Sequence, residues 1–141
     1  MLLLDIGANT DCKPEYLRQF AMMGSIYAEK VIGIARPRVA LLANGEEDTK
    51  GDMLVQNTHV MLKEVKTINF IGNIEPKDVL KGGADVVVCD GFVGNIMLKT
   101  AESVASMITS TIRQEIKANL DRKSTRLNSS HIQKSRMPSS A

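Results

Sequence analysis

Apolar residues in this chain fall into short unbroken runs, separated by longer stretches in which they recur every three or four positions. Leu2-Leu3-Leu4-Asp5-Ile6 is the first run, Arg38-Val39-Ala40-Leu41-Leu42-Ala43 the second and Ile68-Asn69-Phe70-Ile71 the third. The fourth, Val86-Val87-Val88-Cys89, does not alternate, which suits a strand covered on both faces in a parallel sheet. Pro14 fits the first turn of a helix, with Glu15 near its positive dipole end, and Leu17, Phe20, Ala21, Gly24, Ala28 and Val31 repeat at helical spacing. A mid-helix glycine costs about 1 kcal/mol relative to alanine, so Gly24 predicts close packing. Gly33 and Pro37 close that helix. A second helix spans about Asp52 to Lys66, with Leu54, Val55, Met61, Leu62 and Val65 as its apolar residues and His59 expected to be exposed. Pro76 to Lys81 makes a short helical connection, and Gly82-Gly83 turns the chain into the fourth strand. A final helix is predicted from Asn95, as N-cap, to Leu120. Its stripe is Met97, Ala101, Val104, Ala105, Ile108, Ile112 and Ile116, and it either covers the core or projects toward a partner subunit or membrane surface. The order β-α-β-α-β-α-β-α, with short connections, predicts an α/β fold with right-handed parallel crossovers.

At Asp121 the pattern stops. Residues 121–141 hold six serines and no apolar periodicity, which predicts disorder, and they resemble translated sequencing-adapter tails. Two segments are therefore expected: an α/β domain over 1–120 and a disordered, non-native tail over 121–141. The tail also shifts the charge. It holds five of the 18 Lys/Arg and one of the 16 Asp/Glu, so residues 1–120 keep 13 basic and 15 acidic side chains, a net of −2. Such a domain is not a basic nucleic-acid binder, and any phosphate site in it must be local. No apolar run is long enough to span a membrane and no secretory signal pattern is present, so the cytoplasm is the expected compartment. Cys12 and Cys89 show neither metal spacing nor a disulfide framework, and no metal or cofactor is expected.

Candidate chemistry gathers where strands end. Asp90 and Gly91 follow the fourth strand at its carboxyl end, where open α/β sheets place ligands. Gly91 and Gly94 would let backbone approach a ligand, and the N-terminus of the following helix would offer N–H groups to an anion. Gly7-Ala8-Asn9-Thr10-Asp11-Cys12-Lys13 and Asn44-Gly45-Glu46-Glu47-Asp48-Thr49-Lys50-Gly51 are further polar loops at strand ends. No G-x-G-x-x-G follows a strand and no Gly-Lys-Ser/Thr occurs, which disfavours a dinucleotide-dependent dehydrogenase and a P-loop NTPase. Cys89 lies within an apolar strand with no histidine placed to activate it, so it reads as a buried core thiol.

Four blocks together carry a resemblance: Leu4-Asp5-Ile6-Gly7-Ala8-Asn9, Gly45-Glu46-Glu47 with Lys50-Gly51, Asn69-Phe70-Ile71-Gly72-Asn73, and Ala84 through Asn95. Their order and spacing resemble the bacterial phosphate acyltransferases of phospholipid synthesis, the PlsX type, over residues 2 to about 120. The resemblance implies a three-layer α/β/α, Rossmann-like fold of the phosphate acetyltransferase/isopropylmalate dehydrogenase-like superfamily. It implies transfer of a fatty acyl group from acyl carrier protein to inorganic phosphate, giving acyl phosphate for acylation of glycerol 3-phosphate. A cytoplasmic homodimer at the periphery of the inner membrane, passing its product to a glycerol-3-phosphate acyltransferase, is implied as well. Family members extend well before the Asp5 block and beyond position 120, so the chain is expected to be a fragment. For that chemistry Asn95, Asp90 and Lys50 are the catalytic candidates. Asp5, Gly7, Ala8, Asn9, Gly45, Glu46, Gly91 and Gly94 are the substrate-binding candidates. Within that set Gly91, Gly94 and Asn95 would donate to phosphate or the oxyanion, and Asp90 would orient the turn in preference to acting as a base. Lys50, with Lys99 as a weaker candidate, would neutralise phosphate charge, and Glu46 or Glu47 would orient Lys50. Two alternatives stay open: a phosphate acetyltransferase-like enzyme using acyl-coenzyme A, and a noncatalytic α/β module that binds a phosphorylated ligand.

Overall fold

The computed structural model describes residues 1–136 and 138. The chain divides into two units, Met1–Lys99 and Thr100–Ala141.

In the first unit four strands, β1 (Leu2–Leu4), β2 (Arg38–Leu42), β3 (Asn69–Ile74) and β4 (Val86–Val88), form one sheet in the order β1-β4-β2-β3. All pairs are parallel, with Leu3 and Ala40 flanking Val87 from either side. Helices α1 (Pro14–Tyr27), α2 (Met53–Lys63) and α3 (Pro76–Val79) connect the strands, and α4 (Gly91–Ser135) follows β4. The expected α/β fold is present.

Side chains alternate between two cores. Val39, Leu41, Val86 and Val88 pack with Leu17, Ala21, Ala28 and Leu62 on the α1/α2 face. Ala40, Leu42, Val87 and Cys89 pack with Ile74, Val79 and Ala84 on the other face, joined by Leu3 and Met97. Both faces of β4 are thus covered, which is why its sequence is apolar at every position. Burying each Val or Leu contributes about 1.5–3 kcal/mol. Gly24 has the close-packing role its position predicts: a Cβ there would lie 2.7 Å from Val86 and 2.9 Å from Leu4.

Four expectations need correction. Val31 is exposed, because α1 runs into a π-helical turn over Ala28–Ile32 whose wider winding rotates the stripe out of phase. His59 is 2% exposed: the buried face of α2 runs through Thr58, His59 and Leu62, two of which are polar. The Thr58 hydroxyl donates to Leu54 O at 2.7 Å and His59 Nδ1 lies 2.8 Å from Asn73 Oδ1, whereas His59 Nε2 makes no hydrogen bond among the described residues. Helix α4 begins at Gly91, not Asn95, because the Asp90 carboxylate caps it by accepting from Val93 N–H at 2.9 Å.

The fourth concerns the second unit. Helix continues through Ser135 where disorder was expected from Asp121 onward. Thr125, Ser129 and Ser130 turn their hydroxyls back onto Asp121, Thr125 and Arg126 carbonyls, so these polar side chains bond within the helix. Residues 137 and 139–141 of the expected tail lie outside the described residues. Within this unit Val104, Ile108, Ile112 and Ile116 are exposed. Among the described residues no helix is long and apolar enough to cross a membrane.

Candidate functional site

Because all four strands run parallel, their carboxyl ends share one edge of the sheet, and the loops after β1, β2 and β4 emerge there. Helices α1 and α2 cover one face, whereas the start of α4 packs on the other through Met97. The crevices flanking β4 at this edge are therefore where chain direction switches, the usual ligand position in open α/β sheets.

The loop after β1 is organised by Asp5. Its carboxylate is buried and accepts from Gly7, Ala8 and Asn9 N–H at 2.9, 2.9 and 2.7 Å, and from Asn9 Nδ2 at 3.1 Å. Burial pushes the Asp5 carboxyl up, but the Ala8, Gly7 and Asn9 amides outweigh it and hold the group below its ordinary value. The loop that sequence reasoning aimed at an external anion already encloses an internal one. Its Gly7, with φ +145°, adopts a backbone that side-chain-bearing residues avoid.

The turn after β4 is pressed onto this loop. Gly91 N–H donates to Asn9 O at 2.8 Å, and Gly94 N–H donates to Asp90 O at 3.0 Å. A Cβ on Gly91 would lie 2.8 Å from Asn9 O. The two glycines therefore admit the neighbouring backbone, and in this structure their amides are committed to the chain, a correction to their expected role as anion donors. Asn95 differs. Its side chain is half-buried with its Cγ against Gly7, 3.7 Å from where a Cβ would stand, and its amide makes no hydrogen bond to any described residue.

Cys89 Sγ donates to Asp5 O at 3.4 Å beneath this junction. Burial, then the Asp90 and Asp5 charges, pushes the Cys89 thiol up to about 12, so it stays protonated at neutral pH and is no nucleophile. Burial also raises the Cys12 thiol.

The third loop, residues 44–51, is exposed apart from Gly45 and half-buried Gly51. Gly45 lies beneath the Lys50 stem and the Glu47 carboxylate, 2.6 and 2.9 Å from a Cβ position. Asn44 Oδ1 accepts from Gly51 N–H at 2.9 Å, and Lys50 N–H donates to Glu47 O at 3.0 Å. Glu46 is near Lys77, whose ammonium pairs with Glu75 at 3.1 Å, and the structure shows no pairing of Glu46 with Lys50. A groove of about 450 Å³ opens beside β3, lined by Arg36, Asp48, Lys63, Lys66, Phe70 and Gly72 among others, and none of the candidate residues borders it. Among the described residues no group of three or more His, Cys, Asp or Glu is placed to hold a metal ion.

The structure thus brings the predicted Asp5, Asn9, Asp90, Gly91, Gly94 and Asn95 to one junction and leaves Gly45, Glu46 and Lys50 on a separate loop. The sequence did not single out Asn73, whose Nδ2 donates to Glu47 O at 2.8 Å on that second loop, or the buried His59 that meets its Oδ1. A polar pair recurring on the core side of α2 and at the end of β3 was the available signal.

The family model described as "Fatty acid synthesis protein" matches residues 1–136. A phosphate acyltransferase of Herpetosiphon aurantiacus is 63% identical over 118 residues, 83% of this chain and 32% of that protein. One from Helicobacter acinonychis is 59% identical over 122 residues, 86% of this chain and 35% of that protein. One from Dictyoglomus turgidum is 54% identical over 119 residues, 84% and 35% of the two chains. The chain spans about a third of the length of these curated relatives. With the model match running from β1 through α4, and three loops of the matched segment lying on one edge of a parallel sheet, the chain belongs to the fatty acid synthesis protein family that the resemblance to PlsX-type phosphate acyltransferases implied.

Proposed function

We propose that this chain supplies part of an enzyme that transfers a fatty acyl group from acyl carrier protein to inorganic phosphate. A phosphate oxygen attacks the thioester carbonyl, a tetrahedral oxyanion forms, and the C–S bond breaks as the thiolate leaves and takes up a proton. The products are acyl phosphate and free carrier protein. A thioester is already reactive, so the protein's task is to hold phosphate in line and stabilise the oxyanion.

The observation that carries this reading is Asn95. Its amide has no partner among the described residues, and it projects at the first turns of α4 beside the carboxyl end of β4. There it can donate to phosphate or oxyanion where the helix dipole also favours negative charge. Lys50, on the loop after β2, is the proposed source of positive charge, with Gly45 and Glu46 shaping that side. Asp5, Gly7, Ala8 and Asn9 form the wall on which the turn rests, and Asp90 fixes the start of the helix. Direct attack by phosphate fits the protonated state of Cys89. The reading carries with it a cytoplasmic homodimer, peripheral at the inner membrane, whose acyl phosphate acylates glycerol 3-phosphate.

The test replaces the matching third of the Herpetosiphon aurantiacus enzyme with the 118 matched residues of this chain. The chimera is incubated with phosphate and either acyl carrier protein or coenzyme A thioesters, and acyl phosphate is trapped as its hydroxamate. Phosphate-dependent product from the carrier thioester is expected. Product from coenzyme A thioesters alone would move the reading to the phosphate acetyltransferase-like alternative. Phosphate binding by a folded chimera without product from either donor would overturn it in favour of a noncatalytic module.

A further inference from the structure

His59 is buried in α2, yet its ring reaches the exposed loop on the site edge through Asn73. Nδ1 lies 2.8 Å from Asn73 Oδ1, and Asn73 Nδ2 donates to Glu47 O at 2.8 Å. A carbonyl only accepts, so Glu47 fixes which end of the Asn73 amide faces it and turns Oδ1 toward the ring. Oδ1 also only accepts, so His59 Nδ1 carries a proton and donates. The result is a one-way chain from His59 to Asn73 to Glu47 O, and that same carbonyl accepts the Lys50 N–H.

His59 Nε2 lies 3.2 Å from Asp48 Oδ1, out of hydrogen-bond alignment, and Asp48 is also paired with Lys63. The imidazole and the Phe70 ring form a T-shaped pair with centroids 5.2 Å apart and planes 72° apart, which fixes the ring plane. Residues 46–50 are all exposed and offer no apolar anchor. Ordering such a segment costs about 1–2 kcal/mol per residue in backbone entropy, so its few polar ties decide its position.

We propose that His59 is a positioning residue for the candidate site: from inside the α2/β3 layer it orients Asn73, and through Asn73 holds the Glu46–Lys50 segment at the carboxyl edge of the sheet. The functional half of this inference rests on the acyltransferase reading, in which that segment brings Lys50 to phosphate.

The 141-residue chain tests the structural half by imidazole ¹⁵N–¹H spectroscopy and amide exchange. A proton on Nδ1 of His59 is expected, and Nδ1 without a proton overturns the proposal. Asn73→Asp keeps an acceptor for His59 and removes the donor to Glu47. It should speed exchange of the Lys50 amide on the order of tenfold while the Val87 amide in the sheet stays within about twofold. Unchanged Lys50 exchange, or an equal rise at Val87, overturns the proposal. His59→Gln should loosen the same amide. Should that variant not fold, the ring proton and Asn73→Asp still decide. In the chimera, Asn73→Asp should lower kcat/KM for phosphate on the order of tenfold with the unfolding midpoint retained. An active chimera whose Asn73→Asp variant keeps its kcat/KM overturns this proposal alone. An unsubstituted chimera without turnover overturns the acyltransferase reading, and the catalytic half of this one with it.

Discussion

Gly94 approaches Asp5 so closely that a Cβ on it would lie 1.8 Å from the Asp5 carbonyl oxygen. That oxygen is backbone, fixed where β1 ends, and it also accepts from Cys89 Sγ. It cannot yield as a flexible side chain can, so the first turn of α4 sits where it does because residue 94 has no side chain. Gly94→Ala should lower the unfolding free energy by about 3 kcal/mol, read from urea denaturation. Gly45→Ala is the contrast. Its obstacles are the Lys50 stem and the Glu47 carboxylate, both able to swing away, and its cost should stay under about 1 kcal/mol. Equal costs at the two positions would show that the junction relaxes more than its geometry allows.

Asp5 gives the junction a pH dependence. Its folded carboxyl is held below the ordinary value, so its contribution to stability is complete above the unfolded value of about 4 and is lost as pH falls through the lower, folded one. Asp85, hydrogen-bonded to Arg38, and Asp48, beside Lys63, are held low as well and act in the same direction. Stability should therefore fall with acidification below about pH 4. Asp5→Asn should cost about 2 kcal/mol at pH 7, because it leaves loop amides without an acceptor, and should flatten the acid limb. An acid limb of unchanged slope in that variant would remove Asp5 from the account.

How much of this was legible follows from what periodicity can report. The four strands, the order of elements and the close-packing role of Gly24 came from runs and spacings, since a strand covered on both faces must be apolar throughout. Val31 was misplaced because a π-turn adds a residue to the winding, and spacing rules assume a regular helix. His59 was misplaced because an apolar stripe is counted in apolar residues, whereas α2 buries two polar ones with internal partners. The site loops were recognised as loops but their donors were given to a ligand. No spacing rule distinguishes a carboxylate that gathers its own loop, as Asp5 does, from a loop that waits for phosphate.

The two thiols should separate cleanly. Cys12 is half-buried, whereas Cys89 is 4% exposed and its pKa is pushed up to about 12. At pH 8 only about one Cys89 in ten thousand is thiolate. A disulfide reagent should modify one thiol per folded chain within minutes and the second only as the chain opens. Two equal, fast reactions would expose Cys89 and reopen covalent catalysis.

Asn95 and Asp90 offer the sharpest division between contact and support. Asn95 makes no hydrogen bond to the described residues, so Asn95→Ala should change stability by under about 0.5 kcal/mol. In the chimera it should lower kcat/KM for phosphate about a hundredfold, the scale of losing one oxyanion donor. Asp90 caps α4 through Val93 N–H, a bond that asparagine makes nearly as well. If capping is its whole contribution, Asp90→Asn should keep activity within about threefold, while Asp90→Ala loses about 1 kcal/mol of stability. A collapse of activity in Asp90→Asn with folding intact would instead require the charge of that carboxylate. Its position one residue before the helix would then mark it as a group that meets the proton of the attacking phosphate, and Asn95 as its neighbour one turn on.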